Sequence, residues 1–154
     1  MIRYAEAPGR DERPVSQPDG GLPTMTSEIL QGILRLPAPF PLHHGGSLEE
    51  VRVAWRLEGA REGPVVVALG GISAHRRIFG TDNPRDGWWS GLAGPGRPLD
   101  SNRFRLLGFD FLGGSGETTG PLPAEPVFPS VSSYDQADLL AALCDELGIG
   151  QLHA

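Results

Sequence analysis

The stretch VVVALGG, residues 65–71, is a short apolar run that ends in two consecutive glycines. Three adjacent valines favour a β-strand, and an unbroken apolar run indicates a strand that is buried on both faces. Residues 104–111 form a second run of this kind, and it also leads into a glycine pair at residues 113–114. Strands of this type are typical of parallel sheets that are covered by helices. The two runs therefore predict an α/β domain with a mainly parallel sheet.

An antiparallel hairpin is predicted at one edge of this sheet. Residues 51–57 alternate apolar and polar side chains with the period of a half-exposed strand, and residues 40–42 precede them across the turn at residues 43–46. We expect these two segments to pair with each other.

A helix is predicted after the second buried strand. Ser132 is a suitable N-cap, and Asp135 stands where its carboxylate complements the positive end of a helix. Gly148 is placed to end the helix as a C′ glycine. The predicted apolar stripe consists of Leu140, Leu143, Cys144 and Leu147. The chain then returns for another parallel strand, which we expect to begin near Gln151.

The N-terminal residues differ in composition from the rest. Residues 1–24 contain four prolines, mixed charges and few large apolar side chains, so we predict a disordered leader, with Met25 as an alternative translation start. Residues 25–154 are interpreted as the N-terminal part of one α/β domain. Because its last strand has only begun, we expect that domain to be incomplete.

The composition excludes several classes of protein. Thirteen basic and nineteen acidic side chains give a net charge of -6, and the arginines are scattered, which argues against nucleic-acid binding. No apolar stretch approaches the roughly 20 residues that span a membrane, and no secretory signal begins the chain. We therefore expect a cytoplasmic protein. Cys144, the only cysteine, lies on the apolar helix stripe and is predicted to be a buried thiol rather than a nucleophile.

The loop after the first buried strand is the best candidate for chemistry. It contains Gly70, Gly71, Ile72 and Ser73, and ligands of open α/β sheets bind beyond the carboxyl ends of strands. Consecutive glycines let backbone N–H groups turn toward a developing negative charge, as in an oxyanion hole. A plain tight turn has the same sequence signature, and the spacing alone favours that simpler interpretation.

Other chemistry-bearing patterns are weaker. The glycines of residues 113–120 lack the spacing of a dinucleotide or P-loop site, and prolines follow them. No set of side chains has metal-ligand spacing. Of the four histidines, His75 alone has a plausible functional role, because it follows the glycine loop; His43 and His44 suit a solvated turn, and His153 suits a strand. The pair Trp88-Trp89 suits a core or pocket wall. The sequence contains no G-x-S-x-G nucleophile elbow.

Taken together, several segments resemble the homoserine O-acyltransferase family of the α/β-hydrolase superfamily. In order they are PAPFPLHHGG (37–46), VVVALGGISAH (65–75), DNPRDGWWSGLAGPG (82–96), RFRLLGFDFLGG (103–114) and FPSVSSYDQADLLAALCDELGI (128–149). The resemblance implies transfer of an acetyl or succinyl group from coenzyme A to the hydroxyl of L-homoserine or L-serine, in methionine or cysteine biosynthesis. It implies no bound cofactor, and it implies a homodimer for the full-length protein.

The resemblance also implies where the catalytic groups lie. The Ser, Asp and His of the triad are expected beyond Ala154, so the chain alone is predicted to be inactive. Gly71 is the expected backbone donor to the oxyanion, and Gly70, Ile72 and Ser73 are expected to line the substrate pocket with it. Two alternatives stay open: an esterase or other hydrolase of the same superfamily, and a non-catalytic fragment that acts as a small binding domain.

Overall fold

The computed structural model describes residues 27–71, 73–114, 116–122 and 127–154. The described residues form eight strands, a 3₁₀ turn and one α-helix, in the following order along the chain. These are Ser27–Leu36 (β1), Phe40–Pro41 (β2), Ser47–Leu48 (β3), Val51–Ala60 (β4), Val65–Val67 (β5), the 3₁₀ turn Pro84–Asp86, Ala93–Gly94 (β6), Leu99–Asp100 (β7), Arg105–Phe109 (β8) and Ser133–Glu146 (α1). Within those ranges no helix is long and apolar enough to cross a membrane. The predicted leader, residues 1–24, and Met25 lie outside the described residues.

The main sheet has four strands in the order β1-β4-β8-β5. β5 runs parallel to β8, whereas β4 is antiparallel to both β8 and β1. The other side of β5 is also paired, because the His153 N–H donates to the Val65 carbonyl at 2.7 Å and the Val67 N–H donates to the Ala154 carbonyl at 3.1 Å. The backbone of residues 153–154 therefore bonds to β5, but residues 151–154 do not form the strand that was predicted to begin near Gln151. Across the described residues the sheet is mixed, with the parallel pairing concentrated around β5.

The predicted hairpin between residues 40–42 and 51–57 is wrong. β2 instead pairs with β3 across a tight turn, in which Gly45 and Gly46 adopt positive φ angles of 89° and 84°. β4 pairs along its whole length with β1, from Ser27 opposite Ala60 to Leu36 opposite Val51. No strand was predicted for residues 27–36, although β1 supplies the partner that β4 requires.

The expectation that β4 is half-exposed is also wrong. Of its polar residues only Arg52 is exposed, whereas Arg56 and Glu58 are only 7% and 2% exposed. An Arg56 Nη2 to Glu58 Oε2 distance of 2.7 Å pairs the two charges, and Arg56 also donates to Gln31 Oε1 on β1 at 3.0 Å. A buried ion pair thus takes the place of apolar side chains on this face of the sheet. The apolar–polar alternation of β4 does not reveal this, because it predicts that polar residues face water.

Apolar side chains cover both faces of the sheet, as the two buried runs predicted. Adjacent residues of one strand contribute to opposite faces, for example Leu106 and Leu107, which are both completely buried. The face under α1 contains Val51, Val53, Leu57, Val65, Leu107, Phe109, Leu139 and Leu143. The opposite face contains Val66, Ala68, Ile78, Phe79, Ala93 and Leu106. The α/β layering of the domain follows from this two-sided burial.

The helix α1 has the predicted caps. The Ser132 hydroxyl accepts from the Asp135 N–H at 3.3 Å, and Asp135 Oδ2 accepts from the Ser132 N–H at 2.6 Å, which completes a capping box. Gly148 follows the helix with a φ of 64°. The predicted stripe missed Leu139, which is fully buried, while Leu140, Cys144 and Leu147 are half-buried.

The Asp135 carboxyl links the helix cap to the β2–β3 turn. Burial raises its pKa, but N–H groups of Ser132 and His43 and the Ser132 hydroxyl bind the carboxylate and hold the pKa below its usual value. Because the pKa of the Asp135 carboxyl is lower in the folded state than in the unfolded state, its ionised form stabilises the fold at pH values above its unfolded-state pKa. That contribution is lost as the pH falls through its folded-state pKa.

Replacement of Asp135 by asparagine is therefore expected to lower the free energy of unfolding near neutral pH and to matter less in acid. The difference between wild type and Asp135→Asn should shrink once the pH falls below about 4, where an unperturbed Asp protonates. Urea titrations across this pH range measure it. Asp145→Asn, on an exposed position of the same helix, is the control, and an equally pH-dependent difference for that variant would contradict the assignment to Asp135.

Candidate functional site

The glycine loop is defined here as residues 70–73, and its described residues follow the carboxyl end of β5. β5 leads into it, and the parallel neighbour β8 leads into residues 110–122 at the same edge. A cleft of about 430 Å³ separates the two loops. Its lining consists of Gly70, Gly71, Phe111, Leu112, Gly113, Gly114, Phe128, Pro129, Val131, Ser132, Ser133 and Gln136. The structure thus brings Gly70 and Gly71 to a largely apolar cleft beside the first turn of α1.

The two glycines differ in their surroundings. A Cβ added to Gly70 would lie 2.4 Å from the Cβ of Ala74 and 3.0 Å from the Trp88 ring, so only glycine fits there. A Cβ added to Gly71 would meet nothing within 4 Å. Gly70 therefore packs the loop against the protein, whereas Gly71 borders open space from which a ligand could approach its backbone.

Trp88 forms a wall behind the glycine loop and packs against the apolar cluster on that face of the sheet, so the core prediction holds for Trp88 but not for Trp89. Its indole Nε1–H donates to the His75 carbonyl at 2.7 Å, and its ring stacks on Trp89 with centroids 5.3 Å apart. Trp88 is half-buried, whereas Trp89 is 39% exposed. The hydrogen bond joins the wall to the backbone that leaves the loop.

The remaining predicted site residues are less constrained. Ile72 lies outside the described residues, and Ser73 is exposed. The ring Nδ1 of His75 accepts from the Arg77 N–H at 3.2 Å, which gives this histidine a role in the local turn. A catalytic role for any of these side chains stays a prediction.

A buried ionic cluster beside the loop was not selected from the sequence. Asp110, the residue directly after β8, is 0% exposed, and its Oδ2 lies 2.5 Å from Arg76 Nη1. Glu117 also pairs with Arg76. Asp110, the acidic residue within the mostly apolar run of residues 104–112, was the available signal, because a buried carboxylate requires a partner.

Cys144 matches its prediction as a structural thiol. It is half-buried and packs against the core beneath α1. Burial raises the pKa of its thiol, and the neighbouring Asp145 carboxylate raises it further. A protonated thiol is a poor nucleophile, so the chemistry of Cys144 agrees with its position.

Comparison with curated proteins gives strong matches over much of the chain. A homoserine O-succinyltransferase of Xanthomonas campestris pv. campestris is 45% identical over 114 residues, which are 73% of this chain and 28% of that protein. A serine O-succinyltransferase of the same pathovar is 36% identical over 129 residues, which are 76% of this chain and 34% of that protein. The chain is a relative of the homoserine O-acyltransferases. It spans about a third of the length of these curated relatives.

Solved structures agree with this similarity to the homoserine O-acyltransferases. The homoserine O-acetyltransferase of Bacillus anthracis superposes with a TM-score of 0.69 and 25% identity, over 81% of this chain and 38% of that one. An esterase superposes with a TM-score of 0.68 at 22% identity, over 82% of this chain and 40% of that one, and this likeness shows the fold alone. No family model matches the chain. The α/β-hydrolase fold and the family resemblance predicted from the sequence are confirmed.

Proposed function

We propose that the chain forms one part of the active site of an acyltransferase. The reaction moves an acetyl or succinyl group from its coenzyme A thioester to the hydroxyl of L-homoserine or L-serine. The observation that carries the proposal is the position of Gly71 at the carboxyl end of β5, beside an apolar cleft and with open space in front of its backbone. The names of the two Xanthomonas relatives support the substrate class.

The chemical role of the glycine loop follows from the acyl transfer. Attack on a thioester carbonyl places negative charge on its oxygen, and a fixed backbone N–H at that position stabilises the charge. We assign the Gly71 N–H to this role. Gly70, Ile72 and Ser73 are proposed to line the acyl and amino-acid pocket. A plain tight turn is the alternative, and it would give the Gly71 N–H no effect on the reaction.

The nucleophile is proposed to come from outside these residues. Covalent acyl transfer requires an activated side chain such as the serine of a Ser-His-Asp triad. The 154 residues contain no G-x-S-x-G sequence in which that serine usually stands. We therefore propose that the triad belongs to the part of the full enzyme that corresponds to the rest of its relatives. From the family resemblance we also propose that the enzyme is a cytoplasmic homodimer of methionine or cysteine biosynthesis.

We expect the 154-residue chain alone to release no free coenzyme A above background. A chimera provides the positive test: residues 27–154 replace the matching segment of the Xanthomonas campestris homoserine O-succinyltransferase. With succinyl-coenzyme A and homoserine, we expect this chimera to turn over. In it, Gly71→Pro, which removes the N–H, should lower kcat by about 100-fold to 1,000-fold, as loss of an oxyanion donor does. Gly71→Ala keeps the N–H and meets no neighbouring atom, so its loss should be less than tenfold.

Three results would contradict these proposals. Turnover by the 154-residue chain alone would refute its dependence on an external nucleophile. Equal kcat values for Gly71→Pro and Gly71→Ala would favour the plain tight turn over the oxyanion role. Release of coenzyme A at the same rate with and without homoserine would favour the hydrolase alternative, because a transferase requires its acceptor.

A further inference from the structure

A single buried carboxylate holds together the two loops that border the cleft. Asp110 Oδ1 accepts from the Arg76 backbone N–H at 2.7 Å, and Asp110 Oδ2 accepts from Arg76 Nη1 at 2.5 Å. Oδ2 also accepts from the Glu117 N–H at 2.9 Å. Both oxygens of Asp110 therefore accept hydrogen bonds. Oδ1 accepts from the Arg76 backbone, and Oδ2 accepts from the Arg76 side chain and from the Glu117 backbone.

The backbone around this cluster is closely packed. A Cβ added to Gly108 on β8 would lie 2.5 Å from the Arg76 carbonyl oxygen, so the Arg76 backbone rests directly on the strand. Gly116 has a φ of 115°, and a Cβ there would lie 2.3 Å from Asp110 Oδ2. Ile78, two residues after Arg76, is fully buried. The glycine loop therefore lies between β5 and an anchor point at Arg76.

We propose that Asp110 is a positioning residue that holds the glycine loop at the cleft through its bonds to Arg76. Its effect on catalysis rests on the function proposed above, but its effect on the loop does not. The pairing is strong because Asp110 is fully buried and Arg76 is 20% exposed, so removing either charge leaves the other poorly compensated. Glu117, at 62% exposure, is screened by water and contributes less.

Amide hydrogen exchange of the 154-residue chain, followed by NMR, tests the positioning role directly. The Ala74 N–H, which donates to the Gly71 carbonyl at 2.8 Å, reports on the loop, and the Ala68 N–H, which donates to the Leu107 carbonyl at 3.0 Å, reports on the sheet. Asp110→Asn replaces one accepting oxygen with an NH₂ group, which cannot accept the hydrogen bonds that this oxygen receives. We expect Ala74 to exchange at least tenfold faster, and Ala68 less than threefold faster.

Two further variants make this result specific. Glu117→Gln leaves Asp110 and its bonds in place and should change Ala74 exchange less than twofold. Arg76→Lys keeps the positive charge but loses the planar pairing with two carboxylates, and it should give an intermediate increase. If Asp110→Asn does not fold, the comparison of Arg76→Lys with Glu117→Gln decides the proposal in the same way.

The chimera gives the catalytic readout. Asp110→Asn should lower kcat at least tenfold and change KM less than threefold, because the loop is proposed to act on the transition state. Unchanged Ala74 exchange in Asp110→Asn, or an equal increase at Ala74 and Ala68, would overturn the positioning role. Altered Ala74 exchange in a chimera that shows no turnover with any acyl donor would support the positioning role and count against the proposed function.

Discussion

Leu107→Ala is expected to destabilise the chain by about 3 to 4 kcal/mol, because truncating a fully buried leucine removes its transfer energy and leaves a cavity. Leu107 is 0% exposed and stands at the centre of the sheet, opposite Leu57 on β4 and Val67 on β5. It also belongs to the cluster beneath α1. Few neighbours can move to fill the space, since strands flank it on both sides. Urea unfolding followed by circular dichroism measures the change.

The matched control is Leu92→Ala, which makes the same truncation at a leucine that is 45% exposed. We expect it to cost less than about 1 kcal/mol, as surface substitutions usually do. Similar losses for Leu107→Ala and Leu92→Ala would mean that β8 is not at the centre of the core. If Leu107→Ala does not fold at all, Leu107→Met, which nearly conserves volume, should restore a cooperative transition.

Gly108→Ala is expected to cost about 2 to 3 kcal/mol, at the upper end of the range for overpacking a buried site. The added Cβ would lie 2.5 Å from the Arg76 carbonyl oxygen and 3.1 Å from Ile78 Cγ1. The first contact is with backbone, so the segment that carries Arg76 must move away from β8. Two measurements should therefore change together: the free energy of unfolding, and the hydrogen exchange of Ala74.

Gly91→Ala is the control for this substitution, because a Cβ at Gly91 would meet nothing within 4 Å. We expect it to change stability by less than about 0.5 kcal/mol, the usual range for surface positions. A Gly108→Ala chain as stable as the Gly91→Ala chain would show that the Arg76 segment does not rest on β8. The anchor proposed for the glycine loop would then lose its support.

Local signals were sufficient to predict much of the fold. The apolar runs at 65–69 and 104–111 correspond to β5 and β8, because burial on both faces favours apolar side chains at most positions of these strands. The caps of α1 could be predicted because each one involves only residues near its own helix end. Ser132 and Asp135 form the capping box, and Gly148 adopts the positive φ angle that ends the helix. The position of the glycine loop could be predicted because it follows β5 directly, whereas its role in the reaction stays a proposal.

Features that depend on distant partners were missed. β1 has no regular apolar–polar alternation, because apolar residues are adjacent at 29–30 and at 33–34, so its sequence alone carries little strand signal. Gly32 faces the Trp55 ring of β4, where an added Cβ would lie 3.2 Å from the ring. The burial of Glu58 depends on Arg56 and on Thr81, whose hydroxyl bonds to both side chains. The role of Asp110 depends on Arg76, which lies 34 residues away in the sequence. Spacing rules do not detect such pairs.

The strand order also constrains how the chain folds as it leaves the ribosome. Only residues 61–64 separate β4 from β5, yet β8 lies between them in the sheet. β1 and β4 can pair early, because the residues that pair are close in sequence. β5 must wait, with its valines exposed, until β8 has been synthesised about 40 residues later and the intervening loop has closed, which has an entropic cost. During this interval β5 is an unpaired apolar segment, and exposed apolar segments and unpaired strands promote aggregation. The strand that leads into the glycine loop therefore depends on rapid synthesis and closure of the β5–β8 connection.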